Sequence, residues 1–118
     1  MAYVDGFVLA VPNDKRDAYK SVAESMVPMF KEFGVISMTE CWGDDVPDGE
    51  VTSFPMAVKA KEDETVVFAW MVWPSKEVRD EGQKKMREDP RMQNMDMSQM
   101  PFDGKRMIFG GFEILVET

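Results

Sequence analysis

The sequence contains no histidine and only one cysteine. The first absence removes the commonest general base and the commonest metal ligand together, which excludes histidine-dependent triads and histidine metal centres. Cys41, being alone, can form no disulfide within one chain, so the fold must rest on its core and a reducing, cytoplasmic setting is expected. No apolar run approaches the roughly 20 residues of a membrane-spanning helix, and the start, Met1-Ala2-Tyr3-Val4-Asp5-Gly6, has no basic stretch leading into an apolar one. Neither export by that route nor a place in the membrane is expected. Positive charge is also scarce. Fourteen basic residues face 22 acidic ones, a net charge of −8, and such a field repels phosphate backbones and anionic lipid surfaces. No nucleic-acid or membrane partner is expected.

What is present describes one globular unit, residues 1–118, with 44% hydrophobic and 31% charged residues. Twelve methionines are many for this length. Their flexible thioether side chains fill irregular gaps and also serve adaptable contact surfaces.

Tyr3 to Val11 is apolar on both alternating faces, as in a strand covered on two sides. Pro12-Asn13-Asp14 then breaks the pattern, and Tyr19, Val22, Ala23, Met26, Phe30 and Phe33 recur at three- and four-residue steps, a helix stopped by Gly34 and kinked or ended early by Pro28. Val35 to Trp42 reads as a second strand, with Ile36, Met38, Glu40 and Trp42 on one side. Gly43 to Pro55 is dense in turn formers and reads as a long loop; Met56 to Ala60 is expected to extend a strand edge, and Thr65 to Trp73 is the clearest strand. Ser75 caps a second helix that runs to Asp89-Pro90, with Gly82 on its apolar stripe for close packing against the sheet. Met92 to Met100 is expected to hold a further short helix, and Lys105 to Val116 the last strand, in which Gly110-Gly111 marks a bulge or a close backbone approach. The order strand, helix, strand, strand, helix, strand is that of an α+β, ferredoxin-like βαββαβ antiparallel sheet with both helices on one face. The uncovered apolar face then calls for a second copy of the chain, and a homodimer is expected.

Without histidine, catalysis would fall to carboxylates, tyrosine, lysine, Cys41 or an external group, and no cofactor or metal is expected. Glu40, a carboxylate on an apolar strand face, would have a raised pKa if desolvated and could act as general base. The plainer reading pairs it with Lys59, Lys105 or Arg106. Trp42, Asp44 and Arg106 are candidate ligand-orienting residues beside it. The acids Asp44, Asp45, Asp48 and Glu50 do not have the spacing of a calcium loop and read as a solvated turn. Cys41 alternates away from Glu40 and reads as a small buried hydrophobe.

The chain resembles the YbaA-like bacterial family, of unknown function. The resemblance is carried by Tyr3-Val4-Asp5-Gly6-Phe7, by Glu40-Cys41-Trp42-Gly43-Asp44-Asp45-Val46-Pro47-Asp48-Gly49, by the Lys59 to Phe68 block, by Trp73-Pro74-Ser75-Lys76, by Asp89-Pro90-Arg91-Met92 and by Pro101 to Ile108. It implies a dimeric α/β barrel of ferredoxin-like halves and brings no catalytic residue. Similar barrels include cofactor-independent monooxygenases, haem-degrading enzymes and small-molecule binders; haem degradation is disfavoured because no histidine is available to hold the iron. The expected function is binding of a small organic ligand. The alternatives are a cofactor-independent oxygenase or isomerase with Glu40 as base, and a structural or interaction subunit whose support is the Met92 to Met100 segment.

Overall fold

A computed structural model describes residues 1–118. Four strands, β1 (Tyr3–Pro12), β2 (Ser37–Trp42), β3 (Glu64–Trp73) and β4 (Ile108–Glu113), form one sheet in the order β2-β3-β1-β4. Every neighbouring pair is antiparallel. Between them run α1 (Arg16–Glu32), the single turn α2 (Phe54–Ala57), α3 (Lys76–Glu88) and the single turn α4 (Pro90–Gln93). This is the ferredoxin-like α+β arrangement expected from the element order.

The period-two pattern divides the sheet cleanly. Leu9 and Val11 of β1 pack with Val67 and Ala69 of β3, and Phe7, Tyr19 and Trp42 close over them, so odd-numbered β1 residues face the helices. A second cluster joins Met29 and Phe30 of α1 to Val35 and the fully buried Trp73, with Val78 of α3 against it. On the opposite face only one end is covered, where Val58, beyond α2, packs on Ala10 and Val66. The rest stays open: Phe68, Ile108 and Phe112 are 45%, 45% and 60% exposed. Gly6 and Gly110 lie opposite one another in the ladder, and the Phe112 ring lies across both. The molecule is accordingly flat, 38 × 37 × 20 Å.

Several boundaries differ from those expected, each for a local reason. α1 continues through Pro28 to Glu32, because Pro28 is exposed while the adjoining Met29 and Phe30 are buried and hold the last turn down. Met56 to Ala60 is not a strand edge: the Ser53 hydroxyl accepts the Met56 N–H and Pro55 fits the first turn, so the segment opens as helix α2. The methionine-rich segment holds two pieces, α4 and a 3-10 turn at Met97–Gln99, rather than one helix. β4 is shorter than Lys105 to Val116. Lys105 and Arg106 belong to a 3-10 turn capped by Asp103, and past Glu113, which faces Tyr3 at the start of β1, the chain has no strand residue to pair with. Gly110-Gly111 keeps a regular register, and the close-approach reading is the one that holds: a Cβ on Gly111 would lie 2.5 Å from the Tyr3 hydroxyl and 2.7 Å from Arg79 Nη2. Gly82 meets its expectation too, since a Cβ there would lie 2.5 Å from the Trp73 ring.

Candidate functional site

The two helices do not seal the sheet. Between them and the strand face lies a cavity of about 410 Å³, lined by 23 residues of which 19 are hydrophobic. Its floor is formed by Phe7 and Leu9 of β1, Met38 of β2, and Ala69 and Met71 of β3. Tyr19, Val22, Ala23 and Met26 of α1 form one wall and Gln83, Met86 and Arg87 of α3 another. The segment after α3 contributes Met92, Met95, Met97 and Met100, followed by Phe102 and Met107. Nine of the chain's twelve methionines therefore line this one space, which gives it soft walls able to adjust to a guest.

Few polar groups reach it: Arg87 at the end of α3, and two hydrogen-bonded sets. Asp5, 3% exposed, is fully engaged. It accepts hydrogen bonds from Trp73 Nε1 at 2.9 Å, Arg79 Nε at 3.2 Å and Nη2 at 2.8 Å, and Gln83 Nε2 at 3.2 Å. A carboxylate this saturated holds α3 to the sheet.

Glu40 is different. β2 is an edge strand, and the alternation that aims Met38 at the cavity aims Glu40 there two residues later. The Tyr19 hydroxyl, from the first turns of α1, donates to Glu40 Oε1 at 2.6 Å. Glu40 as a residue reaches solvent along the sheet edge, while its carboxyl stands among apolar side chains. Desolvation raises the Glu40 pKa above the ordinary carboxylate value, and the Tyr19 hydrogen bond opposes that rise. Burial and the adjoining carboxylate push the Tyr19 phenol upward as well, so it stays protonated and acts only as donor. The pair is a base with reduced solvation and a hydrogen-bond donor beside it.

The other residues singled out from sequence stand elsewhere. Trp42 packs against the Leu9 and Val67 cluster with the Arg16 guanidinium 5.6 Å from its ring centroid, and lines an adjoining depression at the sheet edge that also takes in Tyr19, Met38 and Glu40. Asp44 is exposed in a shallow polar recess with Asp48, Lys61 and Glu64. Arg106 holds Glu64 at 2.7 and 2.8 Å, Asp103 at 3.1 Å and the Lys59 carbonyl at 2.9 Å, which keeps Glu64 ionised with a pKa of about 2. Glu40 thus has Tyr19 as its partner and none of Lys59, Lys105 or Arg106. The acidic loop residues are not gathered into a metal-holding group. No helix is long and apolar enough to cross a membrane.

Three features escaped sequence reasoning. Tyr19 lies 21 residues from Glu40, and its place on the apolar stripe of α1 gave no sign that its hydroxyl would find a carboxylate. Asp5 carried a signal, a charge at an inward position of an apolar strand. The convergence of the methionines on one cavity had only their abundance to announce it.

The architecture matches solved structures of low sequence identity. A dimeric ferredoxin-like protein from an uncultured marine organism has a TM-score of 0.63 at 11% identity, over 100% of both chains. SnoaB, a cofactor-independent oxygenase from Streptomyces nogalater, has a TM-score of 0.56 at 14% identity, over 98% of this chain and 93% of its own. At these identities the likeness is one of fold. Sequence similarity reaches further: the uncharacterized protein YbaA of Escherichia coli K12 is 61% identical over 117 residues, 99% of each chain. The model of the family described as a protein of unknown function (DUF1428) matches residues 2–104. With that match and the near full-length identity to YbaA, the chain belongs to the DUF1428 family.

Proposed function

We propose that the protein binds a small, largely apolar organic molecule in the methionine-lined cavity and works as a homodimer paired through its open sheet face, in the cytoplasm. The observation that carries the ligand part is the cavity itself. Its volume of about 410 Å³ falls within the range of about 300–1,000 Å³ typical of small-molecule sites, and its lining is apolar with a few polar groups. The pairing is supported by the open apolar face around Phe68, Ile108 and Phe112, and by a structurally similar protein described as dimeric. Native mass spectrometry of gently purified protein tests both: the expected result is a dimer mass carrying an extra small-molecule component. A bare monomer at micromolar concentration would sink the pairing, and failure to take up any of a panel of added apolar compounds would sink the ligand reading.

A second reading, that the bound molecule is also converted, is favoured by the Glu40–Tyr19 pair. Glu40 would accept a proton from a carbon or hydroxyl acidified by a neighbouring carbonyl, and the Tyr19 hydroxyl, turning away from Glu40 as that carboxylate is protonated, would donate its one hydrogen bond to the oxygen that gains charge. Returning the proton to another carbon makes an isomerase; dioxygen as co-substrate makes the cofactor-independent oxygenase. Trp42 shares the sheet-edge depression with Glu40 and Tyr19 and would orient a substrate only there, whereas Asp44 and Arg106 line neither space and take no part in this scheme. Glu40→Gln should abolish turnover of an identified substrate while leaving its binding and the dimer intact; unchanged turnover removes Glu40 from the chemistry. A structural or interaction subunit is the weaker alternative, because Met92, Met95, Met97 and Met100 line the cavity.

A further inference from the structure

The five arginines divide unequally. Arg16, Arg79, Arg91 and Arg106 are each ion-paired within the chain, to Asp17 at 3.4 Å, Asp5 at 2.8 Å, Asp89 at 2.9 Å and Glu64 at 2.7 Å. Arg87 alone has no carboxylate partner and no side-chain hydrogen bond, in a chain with 22 acidic residues. It is also the arginine that lines the cavity.

The helix geometry explains how this comes about. Arg79, Gln83 and Arg87 follow one another at four-residue steps along α3, so they share one face of the helix. The first two reach down to the same carboxylate, Asp5. One turn further on, no acid stands beneath Arg87. The backbone there is tied down instead, with the Arg87 carbonyl accepting from Gln93 Nε2, which holds the methionine-rich segment against the end of α3. Arg87, exposed to solvent, thus borders the cavity on the α3 wall, with an acid–phenol pair on the β2 and α1 side and thioethers and aromatic rings also in the lining.

We infer that Arg87 is the anchor for an anionic head group, and that the ligand class is an apolar, ring- or chain-bearing carboxylate. This rests on reading the cavity as a ligand site. A guanidinium presents a planar fork of donors that matches two carboxylate oxygens, and it stays charged at any physiological pH. A carboxylate held at Arg87 places the apolar body among the methionines and its far end toward Glu40 and Tyr19. The charge of Asp5 is already met by Arg79 and does not oppose such an anion.

The test compares naphthalene-2-carboxylate with naphthalene-2-carboxamide, an anion and a neutral molecule of nearly the same shape, by isothermal titration calorimetry on the full chain. The wild type should bind the carboxylate about tenfold more tightly than the amide, the gain of one charge-assisted hydrogen-bonded pair. Arg87→Gln should remove that preference and leave amide affinity within about twofold. Lys84→Gln, the same change of charge at an exposed position of α3 outside the cavity lining, should keep the preference. Equal binding of the two probes by the wild type, or a preference that survives Arg87→Gln, overturns the inference while leaving the cavity reading in place. Binding of neither probe overturns both.

Discussion

Replacing Asp5 by alanine should destabilise the protein more than any other single removal of a polar side chain. The carboxylate is 3% exposed and is the common acceptor for Trp73 Nε1, Arg79 and Gln83. Its loss leaves the fully buried Trp73 with an unpaired indole N–H and Arg79 with an unmatched charge whose side chain is only 19% exposed. Breaking a buried pair in this way costs about 3–5 kcal/mol. Arg79 keeps its contact to Asp80 at 3.0 Å and some access to water, which places the expected loss near the lower end, about 3 kcal/mol. For a chain of this size that is a fall in Tm on the order of 10 °C. Urea unfolding at one fixed protein concentration, which holds the contribution of subunit pairing constant between variants, gives the difference. Asp5→Asn, retaining one acceptor of similar shape, should lose less. Adding Arg79→Ala to Asp5→Ala should cost less than the sum of the two singles, because the second change removes the stranded charge. A loss below about 1 kcal/mol for Asp5→Ala would mean that the buried indole and guanidinium need no acceptor, contrary to the role given to Asp5.

Four further outcomes are expected. Gly82→Ala should lower stability by about 1–3 kcal/mol in thermal unfolding, despite the helix propensity of alanine, because its Cβ would lie 2.5 Å from the Trp73 ring and 2.6 Å from the Phe33 carbonyl oxygen. Glu64, held by Arg106 at a pKa of about 2, contributes stability that is present above the ordinary glutamate pKa and is lost as pH falls toward 2; Glu64→Gln should be destabilised at pH 7 and converge with the wild type near pH 2 in acid titrations followed by circular dichroism. Glu40 has the opposite sign: its raised pKa means that stability is lost as pH rises through the folded-state value. Glu40→Gln should gain stability relative to the wild type at pH 8 compared with pH 4, and equal pH profiles would contradict the desolvation of this carboxylate. Phe68→Glu should shift the sedimentation coefficient from dimer to monomer, and an unchanged coefficient would contradict pairing through this face.

The layout of the fold was legible because its signals are local and periodic. Alternation in Tyr3 to Val11 and Thr65 to Trp73 marks strands apolar on both faces, and Ser75 with Asp89-Pro90 brackets α3 to the residue. Met56 to Ala60 misled because its apolar content suits a strand edge, while the deciding contact, the Ser53 hydroxyl on the Met56 N–H, depends on how the loop arrives. At the site, the inward aim of Glu40 follows from strand parity alone. What pairs with it does not: Tyr19 reaches it only once the crossover lays α1 beside the edge strand β2. Arg106 looked available for a ligand because neither Glu64 nor Asp103 could be set beside it from sequence, and the structure gives both to it. The cavity depends on the space left between layers, which no residue pattern encodes.

If the methionine-lined space between helices and sheet receives a guest, the methionines themselves can report it. Protein labelled with carbon-13 at the methionine methyls would be titrated with naphthalene and followed by heteronuclear NMR. Shifts are expected among the nine cavity methionines, including Met38, Met71 and Met86, with Met1 and Met56, which do not line the cavity, unmoved. Cavity signals that stay fixed while naphthalene saturates the solution, or shifts confined to Met1 and Met56, would contradict uptake of a guest there.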